Sequence, residues 1–354
     1  MKRQRSLILF TVILCAALWS CNKNSMTDNL TLKQSIDQGA LKLNKAMDVI
    51  SSSKAYGILT VNDGTAKSLD ETAANYKVYI TLDTVKGVFN YHPVQKKDRW
   101  NWSLIKYFTK TADNSKMIIN MPLKKVEHPG LLRSFVSSDT LLANNFSIAV
   151  SAYHNNYNSY HDFDYLLTSE ISIDNAVAGN LNISSFKSPS LGTKYASQYV
   201  FADGYTADYK YQSGDTAVSS FGISNSGNVL YEEKRLTIKQ DTARFGREQQ
   251  YILTIGNVQI VRKSGTKAVT VYLKGVLQQN AVVEIVDRDS DPEASVCKKR
   301  DVQITFDDGT VTKVSTLISD SVTDIRTLFD SLHDVFFAAY VVDWIAYDIY
   351  YKRN

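Results

Sequence analysis

The chain has 354 residues, of which 44% are hydrophobic and 21% charged, and its formal net charge at pH 7 is +4. The net charge falls to +1 when Lys2, Arg3 and Arg5 of the first segment are set aside, so nothing in the composition indicates the concentrated basic face that nucleic-acid binding requires, and no nucleic-acid partner is expected. The composition is that of a globular chain long enough to bury a large hydrophobic core.

The first residues have the pattern of an export signal. Three basic residues precede the apolar run 6–19, which is shorter than the roughly 20 apolar residues of a membrane-spanning helix. The run ends in Leu18-Trp19-Ser20-Cys21, which resembles the lipobox of bacterial lipoproteins. That resemblance implies cleavage between Ser20 and Cys21 and acylation of the Cys21 sulfur. The alternatives are an ordinary secretory signal cut near Ser20 and a short N-terminal membrane anchor.

Acylation at Cys21 predicts a chain that is anchored to a membrane without spanning it, because each buried methylene of a lipid contributes about 0.8 kcal/mol. Of the three cysteines, Cys297 alone then remains as a thiol, so no internal disulfide is expected. We divide the chain into a signal peptide (1–20), a polar tether (21–30) and a β-rich globular domain (31–354). The domain is either single or has two lobes with a boundary near 122–142.

The first predicted element is an amphipathic helix. Apolar residues recur every three or four positions from Leu32 to Ile50, which predicts one buried face. Ser35 with Gln38 has the spacing of a capping box, slightly inside that pattern.

From Lys54 to about Ser319 the pattern changes to that of strands. Short runs rich in Val, Ile, Tyr, Phe and Thr alternate with turn residues such as Ser226-Gly227, Ser264-Gly265 and Asp308-Gly309. The spacing leaves no room for crossover helices, so we predict a mostly antiparallel sheet of hairpins and meanders. Predicted strands are 76–82, 116–121, 146–153, 169–174, 251–255, 257–261 and 268–273.

The last predicted element is a helix from about Val322 to Tyr350. Beyond Val335 it is apolar nearly all round, broken by Asp343 and Asp348, which predicts that it packs in the concavity or across the face of the sheet. The predicted fold class is therefore mainly β (a β-rich α+β fold). We expect a large antiparallel sheet, as a half-barrel or sandwich of hairpins, with an N-terminal and a C-terminal helix packed on it.

Residues 87–236 resemble a group of uncharacterised lipoproteins from Bacteroidota, through GVFNYHPVQKKDRWNW, MIINMP, NNFSIAVSAY and LLTSEISIDNAVAGNLNISS. The resemblance implies an envelope location and a β-rich fold, and it implies no activity. Five Asp-Thr/Ser-apolar triplets also resemble the O-glycan acceptor triplet of that phylum, which predicts glycosylation at Thr84, Thr140, Thr216, Thr242 and Ser321.

Two segments have side chains suited to a metal. In DRDSDPE, the acidic residues Asp287, Asp289, Asp291 and Glu293 alternate, which fits either a calcium site or a solvated acidic turn; Pro292 and Lys298 exclude an EF-hand. No other cofactor is expected. In HNNYNSYHDFD, the side chains of His154, His161, Asp162 and Asp164 suit a metal, but the spacing matches no zinc pattern and we favour a loop between strands.

Two further patterns bear on ligands and catalysis. Trp100 and Trp102 would share one face of a strand, either as a stacking platform for sugar rings or as part of an aromatic core. Ser51-x-x-Lys54, Tyr153-x-Asn155 and Lys263-Ser264-Gly265 match in order the motifs of penicillin-recognising serine enzymes. Such enzymes need the serine at the start of a helix, whereas Ser51 is predicted at the end of one.

The predicted function is that of a membrane-anchored envelope lipoprotein that binds an apolar, glycan or protein partner without catalysis. The alternative is a hydrolase of envelope polymers such as glycan or peptidoglycan. Asn22 stands where an aspartate would indicate inner-membrane retention, and NKNS lacks the acidic run that resembles a surface-export tag. We therefore predict an outer-membrane anchor facing the periplasm.

Overall fold

The structure is a computed structural model that describes residues 30–61, 77–93, 104–128, 141–239, 247–266, 268–287, 300–333 and 337–353. The fold is mainly β, with a large sheet and with helices at both ends of the chain, which confirms the predicted class. Residues 1–29, with the proposed signal and Cys21, lie outside the described residues.

The strands are short near the ends of the chain and long in its middle. They are β1 (Val78–Thr81), β2 (Gly87–Tyr91), β3 (Phe108–Ala112), β4 (Met117–Met121), β5 (Phe146–Ser159), β6 (Asp162–Ile173), β7 (Ala176–Ser188), β8 (Gly192–Phe201), β9 (Tyr205–Gln212), β10 (Thr216–Asn225), β11 (Asn228–Lys239), β12 (Arg247–Ile255), β13 (Val258–Lys263), β14 (Val269–Leu273), β15 (Val276–Leu277), β16 (Val282–Asp287), β17 (Arg300–Thr305) and β18 (Val311–Lys313).

The helices lie before, between and after these strands. They are α1 (Leu32–Ser51), α2 (Lys54–Leu59), α3 (Leu82–Val85), α4 (Leu123–Glu127), α5 (Val314–Leu317), α6 (Val322–His333) and α7 (Phe337–Arg353), together with a 3-10 helix (Leu104–Tyr107). Among the described residues, no helix is long and apolar enough to cross a membrane.

Strands β1 to β15 form one sheet. From β5 to β15 each strand pairs antiparallel with the next along the chain, as the close spacing of turn residues predicted. Strand β5 is long enough for two further partners, because β4 pairs with its first half and β1 with its second half. Only the β2–β4 pairing is parallel among the described strands. The strands on either side of the suggested lobe boundary, β4 and β5, therefore lie side by side.

One face of this sheet carries the core. Side chains at alternate positions, such as Leu167, Ile171 and Leu181, are buried, whereas the intervening Glu170 and Asn180 are exposed. The long helices pack on the apolar face, where Phe329 of α6 contacts the rings of Tyr209 and Phe221. The opposite face carries mostly polar side chains, such as Glu232, Lys234 and Gln259, so the sheet is two-sided in the way that antiparallel sheets allow.

Helix α1 begins earlier than the predicted capping box. Thr31 is the N-cap, since its hydroxyl accepts a hydrogen bond from the Gln34 amide N–H (3.2 Å) and the Gln34 side chain accepts one from the Thr31 amide (3.0 Å). The predicted box of Ser35 and Gln38 is wrong, because Ser35 lies in the first turn of the helix on its buried face. The predicted apolar face is confirmed from Leu32 to Ile50.

The C-terminal part was predicted as one helix, and the structure describes two, α6 and α7, on either side of residues 334–336. Helix α7 is buried on several sides, with Ala338, Val341, Val342, Ile345 and Ala346 fully inaccessible to solvent. The prediction that this apolar segment packs against the sheet is confirmed.

The segment HNNYNSYHDFD is not a loop, contrary to the prediction. Its residues complete β5 and open β6, and Asn156 pairs with Asp164 across the two strands. The turn itself comprises Tyr160 and His161. The polar composition misled the prediction because strand pairing satisfies the backbone of this segment, while the exposed residues from Asn158 to Asp162 surround the turn and Asn155 is buried against Tyr347.

Strands β16, β17 and β18 form a second, small antiparallel sheet. Ile285 of β16 and Val302 of β17 are directly paired, and both side chains take part in a groove against the large sheet. The groove described next therefore lies between two sheets and helix α6.

Candidate functional site

A groove with a volume of about 530 Å³ opens between the large sheet, the small sheet and helix α6. This volume lies in the range of small-molecule sites, about 300–1,000 Å³. Apolar and aromatic side chains form most of its walls: Tyr209, Phe221, Leu253, Ile260, Val269, Ile285, Val302 and Phe329.

The floor of the groove consists of two neighbouring cross-strand rows. In the first row, running from β9 to β13, directly paired residues are Tyr209, Phe221, Glu233, Leu253 and Ile260. In the second row, running from β10 to β14, they are Ser219, Arg235, Tyr251, Arg262 and Val269. Because alternate residues of a strand share a face, both rows face the same side of the sheet. We call this site the Arg235–Arg262 groove.

The second row places two arginines on either side of an aromatic ring. The Arg235 guanidinium lies 5.6 Å from the centroid of the Tyr251 ring, within the range of a cation–π contact. The Tyr251 hydroxyl donates to the Gln249 side chain at 2.7 Å. Across the described part of the chain, neither arginine side chain takes part in a hydrogen bond or a salt bridge.

A carboxylate stands in the first row. Glu233 accepts a short hydrogen bond from the Tyr231 hydroxyl, two residues earlier on β11. Burial, and then the Glu233 charge, raise the pKa of Tyr231 well above its usual value, so the hydroxyl stays protonated and keeps donating. Glu233 also lines an adjoining cavity of about 260 Å³, together with Arg326 and Asp330 of α6.

A second polar cluster is closed from solvent, between α7 and the sheet. The side chain of Asp343 is 1% exposed, and its Oδ1 accepts hydrogen bonds from the hydroxyls of Tyr153 (2.9 Å) and Tyr165 (3.2 Å). Next to it, the Asn155 side-chain amide donates to the Tyr347 hydroxyl at 3.2 Å. The cluster joins β5, β6 and α7.

Burial raises the pKa of Asp343 to about 7, although the two tyrosine hydrogen bonds act in the opposite direction. Burial also raises the pKa values of Tyr153 and Tyr165 well above 10, with a further contribution from the Asp343 charge. Both tyrosines therefore remain donors, and the carboxyl group binds its proton at a higher pH than an exposed aspartate does. Because the cluster is enclosed, we assign it to the stability of the fold.

Several predicted site residues lie outside the described residues: Cys21, Trp100, Trp102, Asp289, Asp291 and Glu293. Asp287 ends strand β16, and its side chain is also outside them. Within the described ranges, no group of three or more His, Cys, Asp or Glu side chains is arranged to hold a metal. The calcium and aromatic-platform hypotheses therefore stay predictions.

The histidine segment brings two of its four candidate ligands together. His154 Nε2 lies 3.1 Å from Asp164 Oδ2 across the β5–β6 pair. Asp162 instead accepts a hydrogen bond from Asn158, and the His161 ring packs edge-on against Tyr160.

The predicted glycosylation sites differ in their surroundings. Thr216 is exposed at the start of β10, whereas Thr84 is half-buried and donates to the Thr81 carbonyl at 2.7 Å. Ser321 is 1% exposed and donates to the Asn44 side chain at 2.7 Å, so in the folded chain it is not an accessible acceptor. Thr140 and Thr242 lie outside the described residues.

The serine-enzyme motifs have separate partners. Ser51 is the last residue of α1, as predicted, and Lys54 forms a 2.6 Å salt bridge with Asp174. Tyr153 donates to Asp343, and Ser264-Gly265 forms the predicted turn after β13, with a φ of +81° at Gly265. Each of the three motifs therefore has a structural role of its own, and the three do not form one site.

The chain matches no protein-family model, no curated protein and no solved structure. The proposed function is therefore argued from the geometry of the groove.

The sequence did not predict that Arg235, Tyr251 and Arg262 form a site, because they come from three different strands. Their pairing depends on register, which the residues alone do not show. The unusual position of Asp343 could be recognised from the sequence, because it is a charged residue in a helix that is otherwise apolar nearly all round.

Proposed function

We propose that this chain is a lipid-anchored protein of the bacterial cell envelope that binds a small apolar ligand in the Arg235–Arg262 groove and does not catalyse its conversion. The anchor is Cys21, at the outer membrane and facing the periplasm. The observation that carries the proposal is the groove itself: about 530 Å³ of space in which ten of the sixteen lining residues are apolar or aromatic.

The alternative of a hydrolase has less support in this groove. Glycoside hydrolysis generally uses a pair of carboxyl groups on either side of the scissile bond. Among the described residues lining the groove, Glu233 is the single carboxylate, and the Tyr231 hydroxyl already occupies it. Asp343 is enclosed beneath α7, where a polymer has no access.

The proposal is tested by filling the groove. Val269 lines it from β14, so Val269→Trp places an indole in the space that a ligand would occupy. Val276→Trp is the matched control, because Val276 lies on the neighbouring strand β15, is 65% exposed and does not line the groove. Ser219→Trp enters from the opposite end of the same row and serves if Val269→Trp does not fold.

The measurement is fluorescence titration of the protein lacking residues 1–21 with N-phenyl-1-naphthylamine, an uncharged apolar probe. We expect saturable binding to the wild type and to Val276→Trp, and a loss of about tenfold or more in affinity in a folded groove-filling variant. Circular dichroism checks the fold of each variant. Equal affinity in the wild type and in a folded groove-filling variant would contradict the proposal.

A further inference from the structure

The two arginines of the groove point to the chemical class of its ligand. We infer that the ligand is a small amphipathic anion, whose carboxylate, sulfonate or phosphate group binds between Arg235 and Arg262 and whose apolar body lies against Leu253, Val302 and Phe329. This inference rests on the proposed function and names the ligand class of the same site.

The first argument is the placement of like charges. Arg235 and Arg262 are both paired with Tyr251 in the cross-strand row, one on each side. Directly opposed residues in an antiparallel pair lie about 5 Å apart, so one small anionic group above Tyr251 is within reach of both side chains. The two arginines are themselves two strands apart, and an anion bound above Tyr251 is attracted by both of their positive charges.

The second argument is the absence of an internal partner. In the described ranges of the chain, neither guanidinium forms a salt bridge, and the Arg235 guanidinium lies over the Tyr251 ring at 5.6 Å from its centroid. The nearby carboxylate, Glu233, lies in the other row and accepts from Tyr231. Arginine side chains supply five N–H donors in a planar fork that suits carboxylate, sulfonate and phosphate oxygens.

The third argument is the neighbourhood of the arginines. Val269 pairs with Arg262 on one side, and Ile285 and Val302 line the groove from the small sheet. Arg235 and Tyr251 are exposed at the rim, whereas Phe221 and Ile260 of the neighbouring row are buried, so a ligand that enters the groove meets charge at its rim and apolar side chains further in. The geometry therefore suits a single amphiphile that enters the groove.

The experiment compares two probes that share one apolar body. 1-Anilinonaphthalene-8-sulfonate is N-phenyl-1-naphthylamine with an added sulfonate, so the ratio of their dissociation constants isolates the contribution of the anion. The variants are Arg235→Gln, Arg262→Gln and the double substitution. Lys263→Gln is the matched control, since it removes a neighbouring exposed charge on the same strand that does not line the groove.

We expect the wild type and Lys263→Gln to bind the sulfonate probe at least about tenfold more tightly than the uncharged probe, the effect of one hydrogen bond to a charged group. Each single substitution should reduce this preference, and the double substitution should abolish it without weakening the uncharged probe. The preference should also fall as NaCl is raised.

Three results of the probe titrations would overturn the inference: equal binding of both probes by the wild type, a preference that survives the double substitution, or an equal loss in Lys263→Gln. If the uncharged probe still binds and Val269→Trp still blocks it, the proposed function stands and only the anion inference fails. Co-flotation with phosphatidylglycerol vesicles that the double substitution abolishes would make the occupant a membrane surface and would also overturn the inference.

Discussion

At the scale of single residues, Asp343 shows how much a buried carboxyl group depends on its surroundings. Its partners are two tyrosine hydroxyls, which are neutral, so no positive charge compensates for the lost hydration. In the unfolded chain the group titrates near its ordinary pKa of 3.8, whereas in the folded protein the pKa is about 7. Between these values the folded state binds the proton more tightly, and the free energy of unfolding therefore falls as the pH rises.

The first prediction concerns Asp343→Asn in the protein lacking residues 1–21. Both tyrosine hydroxyls donate to the Asp343 Oδ1 atom, and an asparagine keeps this oxygen as an acceptor. The asparagine amide nitrogen takes the place of Oδ2, which lies beside the Tyr165 hydroxyl oxygen. The wild type should lose about 2–4 kcal/mol of unfolding free energy between pH 4.5 and pH 8, at about 1.4 kcal/mol per pH unit between the two pKa values. The variant should lose much less.

Urea denaturation at a series of pH values measures this difference. Asp37→Asn is the control, because Asp37 is exposed on α1 and its substitution should leave the pH dependence unchanged. The same pH dependence in the wild type and in Asp343→Asn would show that the buried carboxyl group does not titrate in this range.

At the scale of elements, helix α1 shows how closely a helix approaches the sheet. An added Cβ at Gly39 would lie 3.1 Å from the Ile255 carbonyl oxygen and 3.2 Å from the Ile255 Cγ2 atom. The carbonyl belongs to the end of β12 and cannot move without disturbing its pairing with β11. Glycine at this position therefore allows the contact between helix and strand, despite its low helix propensity.

The second prediction compares the same substitution in two helices. Gly39→Ala should destabilise the protein by about 1–3 kcal/mol, because the overpacking exceeds the roughly 1 kcal/mol gained in helix propensity. Gly57→Ala in α2 meets no atom within 4 Å and should be neutral or stabilising by up to about 1 kcal/mol. Chemical denaturation of both variants provides the measurement. A Gly39→Ala variant as stable as Gly57→Ala would mean that α1 does not approach β12 this closely.

At the scale of the whole molecule, eleven consecutive strands, β5 to β15, form one meander, and helices from both ends of the chain pack on its apolar face. The two ends also bind each other: the Tyr56 hydroxyl of α2 donates to Asp324 of α6 at 2.9 Å, and Asn44 of α1 donates to the Leu317 carbonyl at 3.1 Å. The core is therefore closed by contacts between segments far apart in the chain.

The third prediction concerns the proposed anchor of this molecule. Cys21→Ala should abolish incorporation of a clickable fatty acid in a bacterial host and move the protein from the membrane fraction to the soluble fraction, because one sulfur atom carries the lipid. Cys297→Ala is the matched control and should keep both the label and the membrane fraction. A label that persists in Cys21→Ala would place the acylation elsewhere.

Much of the fold could be predicted from local patterns in the sequence. The alternation of Val, Ile, Tyr and Thr between glycine turns predicted the antiparallel meander, and the apolar spacing from Leu32 to Ile50 predicted α1. Both signals depend on residues a few positions apart, for which side-chain direction is set by the backbone period. The predictions that failed, the capping box at Ser35 and the loop at 154–164, depended on where an element begins or on what it pairs with.

The candidate site was decided by tertiary structure. The sequence by itself determined which residues alternate on each strand, and so which side chains share a face. It did not determine that Arg235, Tyr251 and Arg262 stand in one row, because the register between strands depends on pairings across the whole sheet. Nor did it determine that a small second sheet forms one wall of the groove, since Ile285 and Val302 reach it only through packing between distant segments.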